Sequence, residues 1–409
     1  MAADKQNKVL NVPTLRFPEF SGEWKKERLK DNCTFFSGGT PSSTNKEYYD
    51  GEIPFIRSGE IASEHTELFL SELGLSNSSA KIVEKGDLLL ALYGATSGQI
   101  AISKIRGAIN QAILCIRSSH ENVFLKSAWE KRVDKILQAY LQGGQGNLSA
   151  EIVKGLAFSF PTSQEQKKIG HLISLIEERM STQSRIIEEL KSEKKYLLEQ
   201  LFCLPNEQSP RLRIKGHTSQ WQKVRLSDIV NRIVTRNKNN SSSRVLTIAA
   251  QYGLIDQQEF FHKQIASSDL SGYYLLKHGD FAYNKSYSGD YPWGAVKRLD
   301  NYPDGVLSTL YICFRPNDDV DSDFLCYYFE STKWYRGIME ISGEGARNHG
   351  LLNMSVEDYF TTRLRIPIIE EQRDISKMLN TFSQKIKIEE ELLDRLQKQK
   401  AFLLTSMFV

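Results

Sequence analysis

Cysteine is scarce in this chain of 409 residues: Cys33, Cys115, Cys203, Cys313 and Cys326 are an odd number, with no Cys-x-x-Cys pair and no clustered histidines beside them. That excludes a disulfide frame and a zinc site, and predicts reduced, buried thiols in a cytoplasmic protein. No apolar run approaches 18 residues, and the polar start from Met1 to Leu10 lacks a hydrophobic signal core. Nothing here spans a membrane. A large excess of one charge is also missing, since 53 Lys and Arg stand against 50 Asp and Glu, a balance that neither demands nor excludes a nucleic-acid partner. There is no Gly-x-x-x-x-Gly-Lys-Ser/Thr phosphate loop, no Asn/Asp-Pro-Pro-aromatic methyltransferase motif and no grouping of carboxylates and histidines that favours a self-contained enzyme. Gly94-Ala95-Thr96-Ser97-Gly98 is glycine-rich but has no lysine where a phosphate loop needs one, so it reads as a turn.

What the chain does have is a repeat. Steps of four and three from Ile169 give Ile173, Ile176, Met180, Gln183, Ile187, Leu190, Lys194, Leu197 and Leu201. From Ile375 the same steps give Leu379, Phe382, Ile386, Glu389, Leu393, Leu396, Lys400, Leu403 and Met407, so both stripes are broken by polar residues at equivalent places. A 3.5-residue apolar spacing sustained this long predicts two coiled-coil helices, over 164–202 and 370–408. Paired antiparallel so that position i faces 583 − i, Lys194 meets Glu389 and Gln183 meets Lys400, layers that would fix register and direction. The plainer alternative is two helices packed on separate surfaces with their lysines snorkelling.

The duplication extends to the rest of the chain. Leu15-Arg16-Phe17, Trp24 and Asp31 reappear as Leu212-Arg213-Ile214, Trp221 and Asp228, and Gly86-Asp87 as Gly279-Asp280. Each half reads as β-rich, with runs at 53–56, 87–92, 99–102 and 113–116, then at 245–249, 280–283 and 310–314. A shorter helix is predicted over 123–141 and again over 323–341. The boundaries that follow are 1–161, 162–204, 205–367 and 368–409.

In this order, and twice, the opening Leu15-Arg16-Phe17 with Trp24, Gly38-Gly39-Thr40-Pro41, Gly51-Glu52-Ile53-Pro54-Phe55, Gly86-Asp87-Leu88 and the repeated 161–169 and 367–375 stretches make a pattern. The chain resembles the specificity subunit of Type I restriction-modification systems. The resemblance implies an α+β fold: two β-rich target-recognition domains in tandem, separated by two long helices forming an antiparallel coiled coil with internal pseudo-two-fold symmetry. It also implies a non-catalytic subunit whose domains each read one half of a split double-stranded DNA site. The helices would set the spacing and dock methyltransferase subunits, two of them, joined by two restriction/translocase subunits. S-adenosylmethionine, ATP and Mg would be bound by those partners, with no cofactor and no metal in this subunit. The rival class is a non-catalytic adaptor with two protein-binding domains on the same spacer.

Base readout needs donors and acceptors on loops flanked by cations. The candidates are Arg57, Ser58, Tyr93, Thr96, Ser97, Gln99, Gln142 and Gln145 in the first half. In the second they are Arg236, Asn284, Lys285, Ser286, Tyr287, Arg347, Asn348 and His349. Asn147 and Asn353 precede equivalent strands and read better as turn or cap residues, and Trp24 and Trp221 as core.

Overall fold

The computed structural model describes residues 10–140, 148–238, 240–249, 252–261, 269–286, 291–343 and 350–409. The two apolar stripes form helices of 39 residues each, Ser163–Leu201 and Ile369–Met407. At 1.5 Å per residue each is roughly 58 Å long. The chain divides into two compact units, Met1–Ser184 with Glu391–Val409, and Arg185–Glu390, and the division falls inside both helices. Within each unit the long helices run antiparallel. In the first unit Ile169, Ile173 and Ile176 share a core with Leu403, Met407 and Phe408. In the second, Leu198, Leu201 and Phe202 share one with Ile375 and Leu379, and Lys191 bonds Glu390 at 2.8 Å.

The globular part of the first unit contains two four-stranded sheets and a ribbon. One sheet has the order Cys33–Ser37, Ile113–Ser118, Leu88–Ala91, Ile100–Ile102, all antiparallel. Its strand Leu88–Ala91 is buried throughout, because Leu88 and Leu90 face the long-helix core while Leu89 and Ala91 face the second sheet. Burial on both faces explains why this strand reads as an unbroken apolar run. The second sheet has the order Leu68–Leu70, Ile53–Ile56, Gly107–Ile109, Lys81–Val83. Two glycine motifs are close approaches: a Cβ on Gly38 would collide with the Ile109 carbonyl, and one on Gly51 with the Leu70 carbonyl. The ribbon pairs Lys25–Arg28 with Ala157–Phe160 just before the first long helix.

The second unit repeats this plan. Its four-stranded sheet has the order Val230–Arg232, Ile312–Pro316, Phe281–Asn284, Ala295–Arg298, and its ribbon pairs Gln222–Arg225 with Arg363–Ile366. The second four-stranded sheet is matched by two antiparallel pairs, Leu246–Ala249 with Gly253–Asp256 and Tyr274–Lys277 with Asp304–Leu307, joined by a parallel bridge between Val245 and Val306. The short helix of the first unit is continuous, Asn122–Tyr140. Its counterpart, expected over 323–341, is instead two helices, Ser322–Glu330 and Tyr335–Ile341. The break is held by Glu199 of the first long helix, which accepts from the Thr332 backbone N–H and hydroxyl at 2.9 Å each.

Each opening segment is riveted to the first turn of a long helix. Arg16 donates Nε and Nη2 to Glu165 at 2.7 and 2.8 Å, and Arg213 does the same to Glu371 at 2.8 and 2.7 Å, both carboxylates being fully buried. Trp24 and Trp221 are core residues, at 3 % and 1 % exposure, and only the second finds an indole partner, in Glu371 at 3.3 Å. All five cysteines are free; Cys115, Cys203 and Cys313 are buried, whereas Cys33 and Cys326 are half-buried rather than buried as expected. Among the described residues no helix is long and apolar enough to cross a membrane.

Candidate nucleic-acid interface

The four-stranded sheet of the first unit has two dissimilar ends. At one, Cys33 lies opposite Ser118, close to the ribbon and the root of the long helix. At the other, strand Leu88–Ala91 runs out into the loop that carries Tyr93, Thr96, Ser97 and Gln99. The loop turns sharply because Gly94 and Gly98 take φ of +74° and +86°, backbone that L side chains rarely adopt. Ser97 Oγ is tied back to the Leu92 carbonyl at 3.0 Å and Trp129 Nε1 to that of Gly98 at 2.8 Å, while the side chains of Tyr93 and Gln99 stand exposed. The loop is thus rigid in backbone and open in side chain, as a readout loop requires.

Arg57 and Ser58 follow strand Ile53–Ile56, and Ile61, at the end of their turn, packs with Leu89 and Ala91, so this turn abuts the strand that leads to Tyr93. The Arg57 guanidinium is committed within the protein. It bonds Glu60 at 3.1 Å and Glu67 at 2.5 Å, and the Glu60 bond, then that to Glu67, pushes it above the ordinary arginine value. Phosphate contact by Arg57 therefore requires these bonds to exchange.

In the second unit Asn284, Lys285 and Ser286 occupy the matching sheet end. The Asn284 side chain accepts from the Ser286 N–H at 3.0 Å, the Leu352 N–H donates to the Lys285 carbonyl at 3.0 Å, and Lys285 Nζ reaches the Met354 carbonyl at 3.5 Å. Arg236 lies apart from this group, stacked 4.7 Å over the Tyr274 ring and bonded to the Gly272 carbonyl. Gln142, Gln145, Asn147, Tyr287, Arg347, Asn348 and His349 fall outside the described residues.

The two lysines of the helix seam find partners on the globular parts. Lys194 Nζ bonds Glu330 at 2.8 Å and sits 5.0 Å over the Tyr327 ring. Lys400 Nζ bonds Glu130 at 2.8 Å and Glu177 at 2.7 Å. Lys126 also bonds both of these glutamates, at 3.1 Å in the case of Glu130. Burial pulls the Lys400 ammonium down, but the two carboxylates outweigh it and its pKa ends above the ordinary lysine value. Burial likewise pushes Glu177 up, and the two lysines outweigh that, leaving it below the ordinary range. Pairing across the seam was expected of these lysines; their links to helices Asn122–Tyr140 and Ser322–Glu330 were not.

A second feature went unread in the sequence. The ribbons expose Lys25, Lys26 and Arg28, followed by Lys30, in the first unit, and Lys223, Arg225 and Arg363 in the second, and no ion pair to any of these side chains is seen among the described residues. Lys223 stands opposite Arg365, and Arg225 opposite Arg363, an arrangement of like charges that costs stability. The repeat offset that maps Trp24 to Trp221 also maps Lys26 to Lys223 and Arg28 to Arg225, which is the signal that could have found them.

Comparison with known proteins is consistent along the whole chain. A family model for the Type I restriction modification DNA specificity domain matches twice, at residues 21–192 and 218–398. The Type I restriction enzyme MjaVIII specificity subunit of Methanocaldococcus jannaschii is 21 % identical over 424 residues, spanning 97 % of this chain and 94 % of its own. The MjaIX specificity subunit of the same organism is 26 % identical over 185 residues, 42 % of each chain. Among solved structures, the S subunit of a Type I restriction-modification system from M. genitalium superposes with a TM-score of 0.57 at 15 % identity, covering 97 % of this chain and 99 % of that one. A chain from a study of assembly and conformational transition in the type I R-M system gives 0.52 at 16 % identity, covering 93 % and 96 %. Matched by the family model in tandem over most of its length, the chain belongs to the Type I restriction-modification DNA specificity family, whose members supply recognition and no chemistry of their own.

Proposed function

We propose that the chain recognises a split double-stranded DNA site, the globular parts within 1–161 and 205–367 each reading one half, while the long helices set the spacing and dock methyltransferase subunits. Two methyltransferase and two restriction/translocase subunits complete the complex. S-adenosylmethionine, ATP and Mg act in those partners.

The observation that carries this reading is a repeated scaffold with unlike loops. Both units hold the same sheet order, ribbon and arginine rivet. At the matching sheet end one presents Tyr93, Thr96, Ser97 and Gln99, and the other Asn284, Lys285 and Ser286. A shared frame suits shared partners, and differing side chains suit two different half-sites.

Half-sites about one helical turn apart, roughly 34–36 Å, suit a protein that stays on one face of the duplex. The test is to co-express the chain with the methyltransferase subunit of its host and map methylated adenines across the genome. A split motif with one methylated adenine on each strand is expected. Inserting one heptad into each long helix should then change the preferred spacer and leave both half-sites unaltered. Assembly without methylation would favour the protein-binding adaptor, and a spacer indifferent to helix length would refute the ruler.

A further inference from the structure

We propose that Lys194 and Lys400 are specificity-determining positioning residues: by bonding the short helix of each globular part they fix the angle at which that part is carried on the long helices, and so decide how strictly the spacer is held. The proposal rests on the split-site reading above. It starts from an apparent defect. Both lysines occupy seam positions where an apolar residue would pack better, and both copies of the repeat keep the lysine. Each reaches a glutamate at the same place in the repeat, Glu330 for Lys194 and Glu130 for Lys400, and the side chains are only 18 % exposed.

One contact fixes a point, and two fix a direction. In the first unit the rivet from Arg16 is at Glu165 and the second attachment is a cluster in which Lys126 of the short helix bonds Glu177, twelve residues or roughly 18 Å along the same helix, and Lys400 of the other long helix bonds Glu130 of the short helix. In the second unit the rivet from Arg213 is at Glu371. The second attachment is made by Lys194 together with Tyr327, whose hydroxyl bonds Asn380 at 2.6 Å and Ser383 at 3.0 Å. Adding one base pair to a spacer moves a half-site by about 3.4 Å and turns it by roughly 34°. A domain held at two points cannot follow that rotation. Weakening the second attachment lowers the resistance to that rotation, leaving the Glu199–Thr332 bonds and the core shared with the long helix to carry it.

The two units are not equally protected. In the first, Lys126 also bonds Glu130 and Glu177, so the cluster keeps a cation when Lys400 is removed. In the second, among the described residues Glu330 has an ion pair with Lys194 alone. Lys194→Met should therefore loosen spacing more than Lys400→Met.

The experiment reads the spacer lengths of methylated sites in complexes carrying K194M, K400M, E330Q or the exchanged pair K194E/E330K, with the thermal transition of each complex recorded alongside. Methionine keeps the seam apolar and of similar volume, so folding is retained. For K194M and E330Q the share of sites one base pair off the preferred spacer should rise about tenfold, equivalent to 1.4 kcal/mol of lost restraint. K400M should give a smaller rise and K194E/E330K should return toward wild type, with half-site sequences unchanged throughout. Unaltered strictness in folded K194M and E330Q would overturn the proposal while leaving the split-site reading intact. A wild-type complex that marks a continuous site would overturn both.

Discussion

Replacing Arg213 with alanine tests whether the rivets are structural anchors or incidental surface pairs. Glu371 is wholly buried and accepts three hydrogen bonds, two from Arg213 and one from Trp221 Nε1. Removing one partner of a buried ion pair costs about 3–5 kcal/mol, because the remaining charge is left without compensation. Arg213 itself is 22 % exposed, so water enters the vacated space and the figure is discounted to about 2–3 kcal/mol. The first unit supplies the comparison. Glu165 has no bond from Trp24, whose indole N–H lacks a partner, so Arg16→Ala strips the carboxylate of both its side-chain donors. A bond to a charged group is worth about 1.5–3 kcal/mol, and the long Trp221 bond lies at or below the lower end, so R16A should cost about 1 kcal/mol more than R213A. Hydrogen exchange of the ribbon amides, 25–28 and 157–160 against 222–225 and 363–366, reads each unit separately. A loss under about 0.5 kcal/mol in both variants, as exposed pairs give, would refute the argument. So would a smaller loss in R16A than in R213A.

Three further outcomes are expected. Gly38→Ala drives a Cβ into the Ile109 carbonyl and should lower stability by about 1–3 kcal/mol, seen as a reduced urea midpoint; an unchanged midpoint contradicts the close approach. His120 stacks 3.7 Å from Phe160, and burial lowers its pKa, with Glu27 and Gln166 only partly opposing this. The unfolded chain then binds the extra proton more readily, so stability is present above about pH 6.5 and declines as pH falls through that value toward the lower folded pKa. His120→Phe should flatten the difference in urea midpoint between pH 7.5 and 5.5, and an identical slope in the variant would rule His120 out as the cause. Glu199→Ala removes the acceptor that holds the break at Thr332 and should cost about 1 kcal/mol, with faster exchange across Tyr335–Ile341 as the check.

The long helices were legible because their signal is local: an apolar residue every 3.5 positions is visible without knowing the partner. Their polar interruptions were visible for the same reason, but their bonds to the globular parts were not. Lys194 and Glu330 are 136 positions apart, and no periodicity links them. The broken helix at Ser331 was missed on the same ground, since Glu199 and Thr332 meet only after folding. The strand Leu88–Ala91, buried on both faces, was found because it spells an uninterrupted apolar run, whereas Gly107–Ile109, equally buried but only three residues long and opening on glycine, was not. Among the candidate contacts, the glycines of the 94–98 turn betrayed a sharp loop, and the loop exists. That Arg57 is committed to Glu60 and Glu67, however, depends on a pairing seven residues farther along the turn than any local rule would reach.

The division of the chain has a consequence for its synthesis. The unit Arg185–Glu390 is one uninterrupted stretch and can close as it leaves the ribosome, whereas the core around Trp24 and Phe124 needs Leu403, Met407 and Phe408, the last of which lies 5.0 Å from the Phe124 ring. The unit that begins first is therefore completed last. At about 5–20 residues per second, its unfinished core waits on the order of ten seconds or more for those residues. A message cut short before residue 391 would release a chain with one finished unit and one gaping apolar face, a product marked for aggregation or degradation by its own order of translation.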